Sequence, residues 1–93
     1  MMDGIIMVNA LHYSPQPIKT LTTILKLLRP GGIFILIEYE LVQPRKSWIP
    51  YPITFEQFTA IAPQVALSLP EELGRMASAY GNNYMYLARC VKE

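Results

Sequence analysis

The stretch that most constrains this chain is a leucine-rich helix end that passes through two glycines into an apolar strand. It reads Leu-Leu-Arg-Pro-Gly-Gly-Ile-Phe-Ile-Leu-Ile-Glu over residues 27–38. Pro30 cannot sit inside a continuing helix, and Gly31 and Gly32 can take the positive φ that a helix exit needs. The five large apolar residues 33–37 are typical of a strand covered on both faces, as in a parallel sheet between helices. The stretch therefore predicts one step of an open α/β sheet, whose ligands bind beyond the carboxyl ends of the strands.

Composition limits both the architecture and the partners. The 93 residues are 52% hydrophobic and only 16% charged, which predicts one small domain whose surface is partly covered by an interface or a partner. The net charge of +1 gives no electrostatic reason to bind nucleic acid or an acidic membrane surface. No apolar run approaches the length of about 20 residues that a membrane span needs. We therefore expect a cytoplasmic protein.

The single cysteine, Cys90, rules out a disulfide within the chain and has no companion for a structural zinc site. It falls in an apolar strand pattern and is predicted to be a small core residue. No other cluster has the spacing of metal ligands, so no metal site is predicted.

The remaining patterns complete the secondary structure. Ser14 is predicted to cap a helix with Pro15 at its first position, and Thr54 opens a capping box with Gln57. Residues 70–80 read as a helical turn or an irregular loop. The predicted strands are 4–9, 33–39, 65–69 and 84–91, and the predicted helices are 15–28 and 54–62. The first two strands should be parallel, because a strand–helix–strand crossover of this length is nearly always right-handed and parallel.

These pieces resemble a known family. Asp-Gly-Ile-Ile-Met-Val-Asn-Ala-Leu-His-Tyr at 3–13, the amphipathic helix and the 27–38 stretch together look like the second half of a class I S-adenosylmethionine-dependent methyltransferase. The resemblance implies an α/β fold, the C-terminal half of a Rossmann-like methyltransferase sheet with about four strands and two to three helices. It places 84–91 antiparallel beside 33–39, with 65–69 at the outer edge. Residues 1–93 would form one partial domain.

The chain departs from the family where the cofactor is held. The family's glycine-rich loop cradles the cofactor's methionine moiety and an acidic residue binds its ribose, but these 93 residues contain no Gly-x-Gly-x-Gly. Gly31-Gly32 follows a helix rather than a strand, so it is not that loop. We therefore expect a truncated or split gene product, or a piece that covers only the C-terminal half of the enzyme. S-adenosylmethionine would be the cofactor of the complete enzyme, and this chain alone would bind it weakly or not at all.

Candidate cofactor and catalytic residues follow the first strand. His12, the only histidine, would lie where the family's loop faces the substrate, and an imidazole suits general-base work near neutral pH. The alternative is a loop histidine that bonds the backbone or walls the pocket, which is the more frequent role. Asn9 and Ala10 end the same strand, where the family offers groups to the cofactor or substrate. Asn9 is equally suited to capping the turn.

Candidate substrate-binding residues follow the second strand. Glu38 and Tyr39 end it on the same side as His12, where a carboxylate would orient an acceptor. The simpler alternative is that Glu38 ends the apolar run at solvent. Trp48 and Tyr51 belong to a proline-rich loop over the strand ends, where they would line an acceptor pocket. Alternatively, they only pin that loop to the domain.

Two functions remain open from the sequence. The first is a fragment of a methyltransferase that acts on an unknown acceptor in the complete enzyme and is inactive alone. The second is a non-catalytic oligomerisation or interaction module derived from that fold. In both, strand 4–9 would be an unprotected apolar edge, which predicts a homodimer or pairing with a complementary N-terminal half. Half of a nicotinamide-dependent dehydrogenase is disfavoured, because the chain lacks the dinucleotide fingerprint and a Tyr-x-x-x-Lys pair.

Overall fold

The computed structural model describes residues 1–41, 49–77 and 84–93, which form a four-stranded mixed sheet with two helices. The strand order is β1-β2-β4-β3, with β1 and β2 parallel and the other neighbours antiparallel. The predicted fold class is thereby confirmed. The elements in chain order are β1 (Met2–Val8), α1 (Pro17–Leu25), β2 (Leu28–Tyr39), α2 (Phe55–Ile61), β3 (Glu71–Ala77) and β4 (Tyr84–Val91), with short 3-10 helices at Leu11–Tyr13 and Ala62–Val65.

The parallel pair forms as the sequence predicts. Ile5 lies opposite Phe34 and Val8 opposite Ile37, so residues 5–8 and 33–37 are direct neighbours. β4 pairs with β2 on its other side, again as predicted. Because parallel strands end at the same edge of a sheet, this arrangement brings the carboxyl ends of β1 and β2 together.

β2 begins earlier than predicted, at Leu28, so the Arg-Pro-Gly-Gly segment belongs to the strand. Gly31 has φ +81°, the left-handed conformation that favours glycine. At Gly32 a Cβ would lie 2.8 Å from the carbonyl oxygen of Arg29 and 2.5 Å from Cδ1 of Leu28. The glycine pair thus permits a tight entry into the strand.

Both helices pack on one face of the sheet. The buried core combines α1 and α2 side chains with the even-numbered residues of β2 and β4, including Leu21, Phe58, Phe34 and Tyr86. On the other face, residues 33, 35 and 37 are only half-buried. The expectation that residues 33–37 are covered on both faces is therefore not met by this chain.

α1 is shorter than the predicted 15–28. It starts with Pro17 at its first position and has Gln16, not Ser14, at the N-cap. The Ser14 hydroxyl oxygen instead accepts the Gln16 backbone N–H at 3.2 Å, which forms a local turn before the helix. Pro17 carries no N–H, so it starts the helix two residues later than Pro15 would.

α2 matches its predicted start. The Thr54 hydroxyl accepts the Gln57 N–H at 3.1 Å, and the Gln57 side chain accepts the Thr54 N–H at 2.9 Å. This reciprocal capping box satisfies two backbone donors at the helix N-terminus.

The predicted strand at 65–69 is wrong, and the edge strand is β3 instead. Val65 ends a 3-10 helix, Ala66 has φ +59°, and Leu67 forms only an isolated bridge to Lys92. A left-handed residue interrupts extended backbone, so the strand pattern there cannot be realised. β3 covers part of the 70–80 segment that read as a turn or loop. Its residues are all exposed, and pairing with β4 decides its conformation.

No helix in the described part of the chain is long and apolar enough to cross a membrane.

Candidate functional site

The site lies at the shared carboxyl edge of β1 and β2. The Asn9 backbone N–H donates to the carbonyl oxygen of Ile37 at 2.9 Å, so Asn9 continues the parallel pairing beyond the end of β1. The chain then turns into the 3-10 helix that carries His12, while Glu38 and Tyr39 end β2. The structure therefore gathers at one edge the two groups of candidates that the sequence placed at two strand ends.

A buried histidine–carboxylate pair stands at the centre of the site. Nδ1 of His12 lies 2.8 Å from Oε1 of Glu38, and the His12 backbone N–H donates to Oε2 at 3.1 Å. His12 is 2% exposed and Glu38 is fully buried. Both carboxylate oxygens of Glu38 thus contact one residue, 26 positions away in sequence. This arrangement fixes the position and the orientation of the imidazole.

Aromatic rings border this pair. The ring of Tyr13 lies 4.4 Å from the His12 ring, centroid to centroid, and the ring of Tyr39 lies 6.0 Å away. Tyr39 is nearly buried and packs in a small cluster with Leu41 and Ile49. A carboxylate amid such neighbours is costly to leave unpaired, so the contact with His12 stabilises Glu38 in the fold.

Asn9 carries an unsatisfied hydrogen-bond acceptor. Its φ is +50°, a conformation that asparagine adopts more readily than most residues. Its side-chain oxygen Oδ1 is buried and has no hydrogen-bond partner among the described residues. Buried acceptors are nearly always satisfied in folded proteins, so Oδ1 fits the N–H donor of a ligand at this edge. A cofactor with an amino group would meet that requirement.

The other candidates lie around this centre. Ala10 is exposed, and its carbonyl accepts the Tyr13 N–H at 3.2 Å. Tyr51 is exposed and donates its backbone N–H to the His12 carbonyl at 2.9 Å, which holds the loop against the 3-10 helix. Trp48 lies outside the described residues. The predicted roles of all these candidates remain predictions.

A second polar network includes Glu40, for which the sequence indicated no role. Glu40 Oε1 accepts the Phe55 N–H at the start of α2, at 2.9 Å, and Oε2 lies 2.6 Å from the Arg75 guanidinium. Arg75 also pairs with Glu72. The network ties β2, β3 and α2 together. The only trace of it in the sequence is the opposite charge of Glu72 and Arg75, three residues apart.

Cys90 is a core residue, as predicted. It is 1% exposed, and burial raises the pKa of its thiol to about 11. A thiol with so high a pKa is a poor nucleophile. The described residues contain no group of three or more potential metal ligands.

No family model matches this sequence, and no curated protein matches it. Several solved structures share its fold. A 1,6-didemethyltoxoflavin-N1-methyltransferase from Burkholderia thailandensis, with bound S-adenosylhomocysteine, superposes with a TM-score of 0.78 at 20% identity. The match covers 97% of this chain and 43% of that chain.

Two further structures give the same result. An arsenic(III) S-adenosylmethionine methyltransferase from Chlamydomonas reinhardtii has a TM-score of 0.75 at 13% identity, over 99% of this chain and 38% of that one. The CurJ carbon methyltransferase has a TM-score of 0.71 at 23% identity, over 100% of this chain and 30% of that one. The chain thus spans less than half the length of these proteins, and it has the fold of part of an S-adenosylmethionine-dependent methyltransferase.

Proposed function

We propose that this chain supplies the acceptor-facing part of an S-adenosylmethionine-dependent methyl-transfer site. The observation that supports the proposal most directly is the buried His12–Glu38 pair at the carboxyl edge of two parallel strands. Open α/β sheets bind their ligands at that edge, and the neighbouring structures with this fold are methyltransferases. Fold likeness alone does not establish an activity, so the site chemistry carries the argument.

In this proposal His12 is the general base. Its Nδ1–H donates to Glu38, which leaves the lone pair of Nε2 to accept a proton from an acceptor hydroxyl or amine. Glu38 is a positioning residue, because it holds the imidazole in one tautomer and contacts no acceptor itself. The cofactor supplies an electrophilic methyl group on a sulfonium sulfur. Proton removal by His12 raises the nucleophilicity of the acceptor that displaces this sulfur.

Asn9 is the proposed cofactor contact. Its oxygen would accept a hydrogen bond from the amino group of the cofactor, which would satisfy the one buried side-chain acceptor that has no partner in the described part. The family's glycine-rich loop and the acidic residue that binds the cofactor's ribose are not among these 93 residues. We therefore expect the chain alone to bind the cofactor weakly and to transfer no methyl group.

Nuclear magnetic resonance of the isotope-labelled chain tests this assignment. Titration with S-adenosylmethionine should shift the backbone amides of residues 9–12, with a dissociation constant on the order of a millimolar. Asn9→Gly keeps the positive φ and removes the acceptor, so it should weaken binding about tenfold. Micromolar affinity without a partner would contradict the expected weakness. The absence of shifts at about 10 mM cofactor would overturn the proposed contact.

A specific observation favours the second candidate, an association module. The edge strand β3 carries three charged residues and a register irregularity between Glu72 and Gly74, features that discourage edge pairing. β1 is less protected, because its register irregularity lies at its first residues, between Met2 and Gly4, and the rest of the strand pairs regularly. Its one charge, Asp3, is bonded to Arg29 at 2.6 Å. An open apolar edge of this kind favours pairing with a second β1, which would join two sheets into one, or with a complementary half.

Ile6→Lys tests this association. Ile6 is 66% exposed in the middle of β1, so a lysine there should shift light-scattering mass toward the monomer at micromolar concentration. Leu69→Lys is the matched control, because Leu69 is 69% exposed but lies outside the strands. A wild-type chain that is monomeric, with slow hydrogen exchange in β1, would refute the association.

A further inference from the structure

An apolar groove lies beside the 3-10 helix that carries His12, and it is formed by segments far apart in sequence. Pro15 precedes α1 and Pro17 starts it, Pro50 and Pro52 flank Tyr51, and Ile61 ends α2. The groove has a volume of about 540 Å³, within the usual range of about 300–1,000 Å³ for small-molecule sites. It is therefore large enough for a fused-ring molecule.

The chemistry of the lining restricts what the groove can hold. None of its lining residues is charged, so a charged ligand would lose hydration without gaining an ionic partner. The proline rings and the phenol of Tyr51 present flat C–H and π surfaces, which suit a planar aromatic ring. Tyr51 is 46% exposed, so its ring is accessible for such a contact.

One residue of the lining, Gln57, carries a polar amide. Gln57 uses its Oε1 to accept the Thr54 N–H in the capping box, which orients the amide and leaves Nε2 as a donor. An apolar lining with one oriented donor is the usual composition of a small-molecule site. The donor would select a ring that carries an oxygen substituent.

We propose that this groove binds a neutral, planar aromatic molecule that carries a hydroxyl or carbonyl oxygen. The hydrogen bond from the Tyr51 backbone N–H to the His12 carbonyl holds one wall of the groove against the segment that carries His12, the proposed general base. As the acceptor of methyl transfer, the ligand would be a phenol-like compound. That role rests on the proposed function, whereas binding in the groove does not.

Titration of the labelled chain with 2-naphthol tests the site. The amides of residues 51–61 should shift with saturation, and the dissociation constant should be roughly a millimolar or lower. Naphthalene-2-sulfonate, which has the same ring system and a permanent negative charge, should bind at least about tenfold more weakly. Ala60→Phe, which fills the groove from the exposed face of α2, should weaken 2-naphthol binding by a similar factor.

Thr23→Phe on the exposed face of α1 is the matched control and should bind 2-naphthol as the wild type does. Equal affinity for the sulfonate, unchanged affinity in Ala60→Phe, or shifts outside the groove would each overturn the proposal. The titration with S-adenosylmethionine at residues 9–12 should be unaffected by Ala60→Phe. A wild-type chain that fails to bind 2-naphthol but still responds to S-adenosylmethionine would therefore refute the groove alone and leave the proposed function standing.

Discussion

Glu38→Leu is expected to lower the free energy of unfolding by about 3–5 kcal/mol, because it removes one partner of a buried ion or hydrogen-bonded pair. The leucine would leave the His12 backbone N–H and imidazole without the acceptors they have at 3.1 and 2.8 Å. A small domain has a total stability of only about 5–15 kcal/mol, so this loss is a large fraction. Urea denaturation followed by circular dichroism measures it.

Two variants distinguish the contribution of the His12–Glu38 contact to stability from that of side-chain packing at position 38. Glu38→Gln keeps one oxygen acceptor and should lose only about 1–2 kcal/mol. The double variant His12→Leu with Glu38→Leu replaces both partners by apolar groups, and it should recover part of the loss. A Glu38→Leu protein within about 1 kcal/mol of the wild type would mean that the buried pair contributes little to folding.

Raising the pH from 9 to 11 is expected to remove about 2–4 kcal/mol of stability. Burial raises the pKa of Cys90 from 9.0 to about 11. Burial, and then the charges of Glu38 and Glu40, raise the pKa of Tyr86 above its ordinary 10.0. The unfolded chain therefore loses these protons at lower pH than the folded chain. The stabilisation is complete below about pH 9, and it is lost as the pH rises through the folded-state values.

Single variants test whether Cys90 and Tyr86 cause the loss of stability at alkaline pH. Urea denaturation at pH 8 and pH 11 should give a smaller difference for Cys90→Ala and for Tyr86→Phe than for the wild type. Tyr84→Phe removes an exposed phenol and should leave the difference unchanged. If Cys90→Ala and Tyr86→Phe both retain the full alkaline loss, burial of these groups is not its cause.

The local signals in the sequence were reliable where one short pattern decides the outcome. The capping box at Thr54 needs only two side chains three residues apart, and it formed as predicted. The apolar runs of β2 and β4 lie in the interior of the sheet, and the crossover helix makes β1 and β2 parallel. Residues 71–77 give no such signal, because an exposed edge strand buries no face that could set a period of two.

The candidate site, too, has features that the sequence predicted and features that it did not. The sequence placed Asn9, His12 and Glu38 at the ends of two parallel strands, so their proximity followed from topology. It did not predict that Glu38 would be fully buried with both oxygens on His12, nor that the Asn9 oxygen would lack a partner. Those outcomes depend on the conformation of the turn at residues 9–13.

What the sequence by itself determined is the set of apolar strands, the parallel pairing of β1 with β2 and the edge at which polar residues collect. These follow from hydrophobic periodicity and chain handedness, which act over a few residues at a time. Only the tertiary structure decided which polar groups pair, which face of the sheet stays open and where the apolar groove forms. Each of these depends on atoms from segments distant in the chain, such as Tyr51 against His12, whose distances no local pattern encodes.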